Sequence, residues 1–419
     1  MGRRFETPLY VYDLDRLTDT YQRLRKSLHD DIHLYYSLKA NPALSICAAY
    51  REMGAGAEIA SRGELETALG AGFCGDRIIF AGPGKREDEL ETALRSDILS
   101  INVESLDELS ALGQIAARLN KQANVCLRIN PKKNVSGSHL QMGGGASPFG
   151  LDEEMLAEAV NFIRTSRRLV FRGIHIYVGN QILDSEPAIR NIENTLAIAR
   201  RAAGAALLEN GLELVNLGGG LGIPYYPHQQ PLDMDLFTRE LNRRIESAKN
   251  EPCFRQTTFI LELGRYLVAA CGVFLTRIVS IKESRGKRFA VVDGGMNANS
   301  MATGNLGQKI RRKFPICPAV GMDRPDTELY DIVGPLCTPM DTYGSGYQGP
   351  PLAKGEILCV PLSGAYGRTA SPTGFLSHPG CLEAAASAGD IQCIRSRGDT
   401  EDILAGQSLF DKRGGIHST

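Results

Sequence analysis

Five short segments hold residues able to do chemistry. In Tyr35-Tyr36-Ser37-Leu38-Lys39-Ala40-Asn41-Pro42 a single amine follows the apolar and aromatic run Ile32 to Tyr36. Such a run reads as a buried strand, and Asn41-Pro42 forces a break before a helix can begin. Lys39 is then expected at the carboxyl end of a strand, where desolvation disfavours the charged form and leaves a neutral amine able to condense with an aldehyde. A surface lysine snorkelling from a strand end fits this segment equally well. Glu262-Leu263-Gly264-Arg265 closes another apolar run with a carboxylate that can keep a ring nitrogen protonated and a guanidinium suited to a phosphate or a carboxylate. A plain ion pair at the rim is the alternative. Asn216-Leu217-Gly218-Gly219-Gly220-Leu221-Gly222 offers bare backbone N–H groups to a phosphate, or is a tight turn. Gly334 to Asp341 puts the Cys337 thiol and the Asp341 carboxylate on one constrained turn, and Gly364-Ala365-Tyr366-Gly367 presents a hydroxyl between small residues.

Two nucleotide-site readings are decoys. The triple-glycine segment has Ile223 where a dinucleotide fingerprint needs its third glycine, and Gly82-Pro83-Gly84-Lys85 has Ile79 where a nucleotide-binding loop needs its first. In Gly173 to Gln181, His175 and Tyr177 share a face by strand alternation. His175 reads as a hydrogen-bonded core residue, and Tyr177 as the group that would stack on a ring.

The elements that must position these residues repeat. Eight apolar segments end in small or polar residues: 32–37, 56–61, 77–82, 98–104, 125–130, 172–179, 214–220 and 259–265. Helix-like stretches with apolar residues at helical spacing separate them, among them 63–69, 104–119 and 189–208. Eight strand-helix units predict a (β/α)8 barrel, whose functional residues gather at the carboxyl ends of its strands; an open doubly wound sheet has the same element order. Beyond Arg265 the pattern turns to β-rich segments between Gly/Pro turns. The expected division is a barrel over residues 25–270 and a mainly β domain from 271–419 joined by residues 1–24.

Composition narrows the class. With 419 residues, 43% hydrophobic and 23% charged, the chain can bury a large core. A net charge of −1 with interspersed signs gives no field to hold nucleic acid or an anionic membrane. No apolar run reaches the roughly 20 residues of a membrane span, and the Met1 to Pro8 start lacks a signal-peptide core, so a cytoplasmic protein is expected. Ten cysteines are scattered without a C-x-x-C pair or a histidine at ligand spacing, which points to neither a disulfide framework nor a metal site.

The segments around Lys39, Arg128 to Pro131, His175 to Gln181, Asn216 to Gly222, Glu262 to Arg265, Asp293, Cys337 to Asp341 and Tyr366 stand in an order and spacing that resemble the pyridoxal 5'-phosphate-dependent decarboxylases of the alanine-racemase-like fold, in particular the diaminopimelate and ornithine decarboxylase group. The resemblance runs nearly end to end. It implies Lys39 as the Schiff-base lysine, Glu262 at the pyridine nitrogen, Arg128 near the ring hydroxyl and Tyr177 against the ring. Phosphate would fall to Asn180, to the amides of Gly218, Gly219 and Gly220, to Arg265 and to Tyr366, with Gly264 also at the cofactor. Glu58 and Glu64 match acidic positions that support the lysine. Cys337 is implied as the proton donor to the carbanion, with Asp293, Thr338 and Asp341 toward the substrate. The Cys337 loop is implied to reach the partner's site in a homodimer with shared active sites.

The departures bear on substrate. Thr338-Pro339 stands where diaminopimelate decarboxylases carry a glutamate and a serine before the aspartate, Tyr177 replaces the usual stacking histidine, and Asn180 replaces its neighbouring serine. Gly137 to Gly145, Phe149-Gly150, Thr303 to Gln308, the Cys337 turn and Gly374 to Pro379 resemble a narrower branch. That branch includes the butirosin-pathway decarboxylase of carrier-protein-tethered glutamate and exosortase-associated decarboxylases; the last two stretches are also similar to a siderophore-pathway decarboxylase. If the far end of the substrate is conjugated, no distal ammonium needs a partner, and a carboxylate there would be left unpaired in a dry site. The expected activity is α-decarboxylation of an L-amino acid with a conjugated or bulky side chain. The alternatives are a decarboxylase of free diaminopimelate, ornithine or lysine, an amino-acid racemase, and a non-catalytic pyridoxal phosphate-binding protein.

Overall fold

The computed structural model describes residues 5–132, 140–141, 145–208, 211–306, 312–410 and 416–418. Most of the Gly137 to Gly145 stretch, and Gly307 and Gln308, lie outside the described residues. The chain opens with β1 (Leu9–Asp13) and α1 (Leu14–Ser27). Strands and helices then alternate: β2 (Ile32–Ser37), α2 (Leu44–Glu52), β3 (Gly56–Ile59), α3 (Arg62–Gly70), β4 (Ile78–Phe80), α4 (Glu87–Arg95), β5 (Ser100–Val103), α5 (Leu106–Arg118), β6 (Ala123–Asn130), α6 (Leu156–Thr165), β7 (Leu169–His175), α7 (Ser185–Ala206), β8 (Leu214–Gly219), α8 (Met234–Lys249) and β9 (Thr258–Leu263). From β2 to β9 each strand pairs in parallel with the next, and β9 pairs with β2 through Phe259↔Ile32 to Leu263↔Tyr36. This last ladder closes the sheet into an eight-stranded barrel and excludes the open arrangement.

The barrel is filled in layers. Tyr35, Ile79, Cys126, Leu214 and Ile260 form one buried apolar cluster. Gly56 makes room for it, since a Cβ there would meet the Tyr35 ring at 2.3 Å. Burying side chains of this size stabilises the fold by about 1.5–3 kcal/mol each. Two residues further along the same strands, alternation brings Ser37, Arg128, Asn216 and Glu262 to the same face. The floor of the barrel is therefore apolar and its carboxyl-end layer polar. Several helices that begin at this polar end are capped by the residue before them: Ser61 and Ser105 accept the Glu64 and Glu108 N–H groups, and Asp184 and Asp233 do likewise for α7 and α8. Such caps are each worth about 1 kcal/mol.

The second unit is a mainly antiparallel sheet. Its strands are β10 (Gly272–Ser284), β11 (Lys287–Val292), β12 (Glu328–Val333), β13 (Thr342–Gly349), β14 (Ile357–Val360), β15 (Leu382–Ser387) and β16 (Asp390–Arg395). They run in the order β13-β12-β11-β10-β1-β15-β16, with β14 paired to β10. The compact units are residues 16–269 and, in the other, the chain up to Asp15 with Ala270 onward. Residues 16–24, expected with the β domain, thus belong with the barrel. The reason is packing: α1 buries Leu17, Tyr21 and Leu24, and the Tyr21 ring lies 6.0 Å from that of Tyr50 on α2. Among the described residues no helix is long and apolar enough to cross a membrane, and no group of three or more His, Cys, Asp or Glu is arranged to hold a metal ion.

Candidate active site

Lys39 sits on a single 3-10 turn, Leu38–Ala40, at the carboxyl end of β2. Its flanking residues Leu38 and Ala40 are buried, while its own side chain is 39% exposed. The Nζ atom donates to both oxygens of Glu58 at 2.9 Å, and the Glu58 side chain is only 1% exposed. This corrects the expectation of an amine neutralised by desolvation: a buried carboxylate at this distance favours the ammonium. The same Nζ lies 5.7 Å from the centroid of the Tyr177 ring, within cation–π range. Gly264 lets the end of β9 approach this turn, since a Cβ there would meet Ala40 Cβ at 2.8 Å. Glu64, near Glu58, accepts the Ala60 N–H at 2.7 Å. Burial and the Glu58 charge push its carboxyl up to about 7.

Glu262, at the end of β9, is buried between two polar neighbours. Asn216 Nδ2 on β8 donates to its Oε1 at 2.5 Å, and His175 Nε2 on β7 is 3.4 Å from its Oε2. Burial alone would raise the Glu262 carboxyl; His175, Lys39 and Asn216 outweigh it and bring it down to about 2. His175 in turn shares a 3.1 Å contact between its Nδ1 and Asn102 Nδ2 on β5. Neither Asn102, Asn216 nor the proximity of His175 to Glu262 was anticipated from the sequence. For Asn216 and His175 the signal was a polar residue two positions past an interior apolar or glycine position in a barrel strand, as in Leu214-Val215-Asn216 and Gly173-Ile174-His175.

Arg128, buried on β6, donates to Glu104 at 2.7 Å and lies 5.1 Å from the Phe149 ring centroid. Glu104, also missed, fixes that guanidinium and accepts the Gly82 and Gly150 N–H groups as well. Lys85, in the rejected nucleotide-loop segment, is buried and tied to Gly82 O, Asn102 O and Glu108. The three glycines are demanded first by backbone packing. Gly218 and Gly220 have φ of +67° and +88°, and a Cβ on Gly219 would sit 1.6 Å from Glu262 O. Gly218 N–H is already donated to Asn216 Oδ1 at 2.9 Å, so it is not available to a phosphate as expected. Asn180 lies in a short ladder opposite Leu140. Arg265 Nη1 donates to the Tyr225 hydroxyl at 2.8 Å.

The remaining candidates belong to the second unit. Cys337 is exposed and Thr338 half-buried on the turn after β12, while Tyr366 adopts φ of +54° in the left-handed region. Asp341 is 2% exposed and turned inward, accepting Met296 N–H at 2.6 Å and Leu336 N–H at 2.9 Å. Asp293 accepts from the Thr7 and Thr276 hydroxyls and from Arg277 N–H. Asp341 is thus held by the backbone of its own turn, and Asp293, half-buried, by two hydroxyls and one backbone N–H of its own sheet; a carboxylate withdrawn from water needs such donors.

At the barrel's polar end, then, stand a half-exposed amine, an ionised buried carboxylate, a buried histidine nitrogen with no hydrogen bond among the described residues, and an aromatic face beside the amine. This donor set fits pyridoxal 5'-phosphate, whose aldehyde takes an amine and whose ring nitrogen takes an anion. The comparisons with known proteins agree. The family described as pyridoxal-dependent decarboxylase, pyridoxal binding domain, matches residues 14–269. The L-glutamyl-[BtrI acyl-carrier protein] decarboxylase of Niallia circulans is 39% identical over 413 residues, 97% of this chain and 95% of that protein. The diaminopimelate decarboxylase of Methanothermobacter thermautotrophicus is 33% identical over 417 residues, 98% and 93% of the two chains. Among solved structures, Helicobacter pylori diaminopimelate decarboxylase complexed with L-lysine superposes with a TM-score of 0.85 at 30% identity, covering 96% of this chain and 97% of that one.

Proposed function

Because the chain belongs to the pyridoxal-dependent decarboxylases and is a carboxy-lyase of amino acids, we propose that its substrate is an L-amino acid whose far end is conjugated, as in an acyl-carrier-protein thioester or a natural-product intermediate. The observation that carries this reading is the turn after Cys337. Thr338 and Pro339 occupy it, and its one carboxylate, Asp341, is buried and holds two backbone N–H groups. Nothing on this turn can neutralise a distal ammonium. An uncharged, acylated end needs no such partner. The 39% identity to a decarboxylase of carrier-protein-linked glutamate supports the same substrate class.

Bound pyridoxal 5'-phosphate supplies an electron sink for the pair left when carbon dioxide departs. Lys39 would hold the cofactor aldehyde, and Glu58 orients the Lys39 amine. Glu262, ionised, would keep the ring nitrogen protonated. Arg128, fixed by Glu104, would meet the ring hydroxyl, and Tyr177 would cover the ring face. Gly219, Gly220, Asn180, Arg265 and Tyr366 would bind the phosphate. Cys337, exposed on its turn, would carry at Sγ the proton delivered to Cα. The reading includes a homodimer in which Cys337 of one protomer serves the barrel of its partner.

The test is carbon dioxide release by the cofactor-loaded protein from free lysine, ornithine, arginine and diaminopimelate beside glutamyl-carrier protein and citryl-conjugated diaminopropionate. Release from a conjugate alone is expected. Robust release from free diaminopimelate would refute the substrate class while leaving the family intact.

A further inference from the structure

We propose that His175 is a positioning residue that holds Glu262 as a carboxylate aimed at the cofactor's ring nitrogen. A buried polar arc crosses the barrel mouth through β5, β7, β8 and β9. Ser100 Oγ donates to Asn102 Oδ1 at 3.3 Å, and Asn102 Nδ2 donates to His175 Nδ1 at 3.1 Å. His175 Nε2 faces Glu262 Oε2 at 3.4 Å, Asn216 Nδ2 donates to Glu262 Oε1 at 2.5 Å, and Asn216 Oδ1 takes the Gly218 N–H at 2.9 Å. All five side chains are buried.

The direction of donation sets the histidine's tautomer. With Ser100 donating to Asn102 Oδ1, the Asn102 amide nitrogen is left to donate, so His175 Nδ1 must accept. The ring proton then sits on Nε2, the atom that faces Glu262. That nitrogen is buried and has no hydrogen bond among the described residues, and 3.4 Å is long for one. An Nε2–H without another acceptor, facing one carboxylate oxygen while Asn216 takes the other, favours the charged form of Glu262 from both sides. The charged and titratable groups around Glu262 are His175, Lys39 and, through a weaker effect, the buried Cys126 thiol; Lys39 is itself paired with Glu58. Lys39 is the group that the cofactor would engage, so His175 and Asn216 are what remains to keep Glu262 ionised. The sequence reading of His175 as a core residue was right about its burial and incomplete about its task.

The inference rests on the cofactor site in the barrel and not on the identity of the substrate. The experiment compares wild type, His175→Gln and His175→Asn for pyridoxal 5'-phosphate affinity and visible absorbance between pH 5 and pH 9, without substrate. A glutamine amide reaches where Nε2 stood and keeps a donor to Glu262, whereas asparagine keeps only the contact toward Asn102. His175→Asn is expected to weaken cofactor binding about tenfold or more, the scale of a lost hydrogen bond to a charged group, and most at low pH. The pH at which affinity falls should move up in the asparagine variant and stay near wild type in the glutamine one. Equal impairment of both variants at every pH, or no change in either, overturns the proposal. Imidazole 15N shifts of the wild-type protein give a check that needs no variant: a protonated Nδ1 with a bare Nε2 also overturns it. Wild-type protein that takes up no cofactor would refute the barrel site itself, a distinct failure.

Discussion

Replacing Asp341 with asparagine should destabilise the second unit and disturb the Cys337 turn without acting on substrate affinity directly. In the native turn one carboxylate oxygen takes Met296 N–H at 2.6 Å and the other takes Leu336 N–H at 2.9 Å. The turn is built around this group: a Cβ on Gly295 or Gly334 would meet the carboxylate at 2.3 or 2.2 Å. Asparagine keeps one acceptor and sets an amide NH2 against the other N–H. A hydrogen bond to a charged group is worth about 1.5–3 kcal/mol, and the orphaned N–H adds to the loss. Against this stands the relief of removing a buried charge, since desolvation raises the Asp341 carboxyl despite the two N–H donors and the charge of His378. The net expectation is a loss of about 1–2 kcal/mol near neutral pH, or about 2–8 °C in Tm for a unit of this size. A carboxyl raised in the folded state contributes stability that is fully present below its unfolded value near about 3.9 and lost as pH rises through the folded value. The gap between wild type and Asp341→Asn should therefore widen on going from pH 7 to pH 4. Calorimetry at both pH values, with KM and kcat measured alongside, decides the matter. An unchanged Tm with a tenfold rise in KM would show that Asp341 touches the substrate and that its inward orientation here is not the working one.

Three further outcomes follow from the site. Lys39→Ala should bind no cofactor through a lysine-linked visible chromophore and should release carbon dioxide only at background; undiminished turnover would remove Lys39 from its assigned role. Gly219→Ala forces a Cβ to within 1.6 Å of Glu262 O, backbone that cannot swing away, and should cost about 3 kcal/mol in urea denaturation, the upper range for overpacking; a midpoint equal to wild type would mean the strand end is looser than it stands here. Glu64, raised to about 7, gives stability that is present below its unfolded value and lost as pH rises toward 7. Glu64→Gln should therefore gain on wild type between pH 5 and pH 8, on the order of 2 kcal/mol after allowing for its partial exposure, and parallel pH profiles would contradict this.

Much of the architecture was legible because strands of a closed parallel barrel are buried on both faces and read as short apolar runs. Each of the eight runs identified in the sequence overlaps one of the strands β2 to β9, and the strand that begins earliest relative to its run is β7, which starts at Leu169 where the run starts at 172. Lys39 and Glu262 were legible as well, since each is a charged residue ending such a run, where a side chain leaves the core for the barrel mouth. The helix α1 was misassigned because its apolar stripe is compatible with either unit, and only its packing on Tyr50 distinguishes them.

By itself the amino-acid sequence determined the strand and helix order, the placement of the amine and the carboxylate at strand ends, and the family. Tertiary structure alone decided closure, because the β9–β2 ladder joins Phe259 to Ile32 across most of the barrel's length of chain. It also decided what each polar group faces. Asn102, His175, Asn216 and Glu262 lie on four strands, and their meeting depends on the stagger between those strands, which no local pattern encodes. The same holds for Asp341: a carboxylate four residues from a thiol reads alike in sequence whether it opens toward a ligand or closes on its own backbone. Which of the two occurs depends on the N–H groups within about 3 Å of it, and the folded chain brings Met296, 45 residues away, beside the local Leu336.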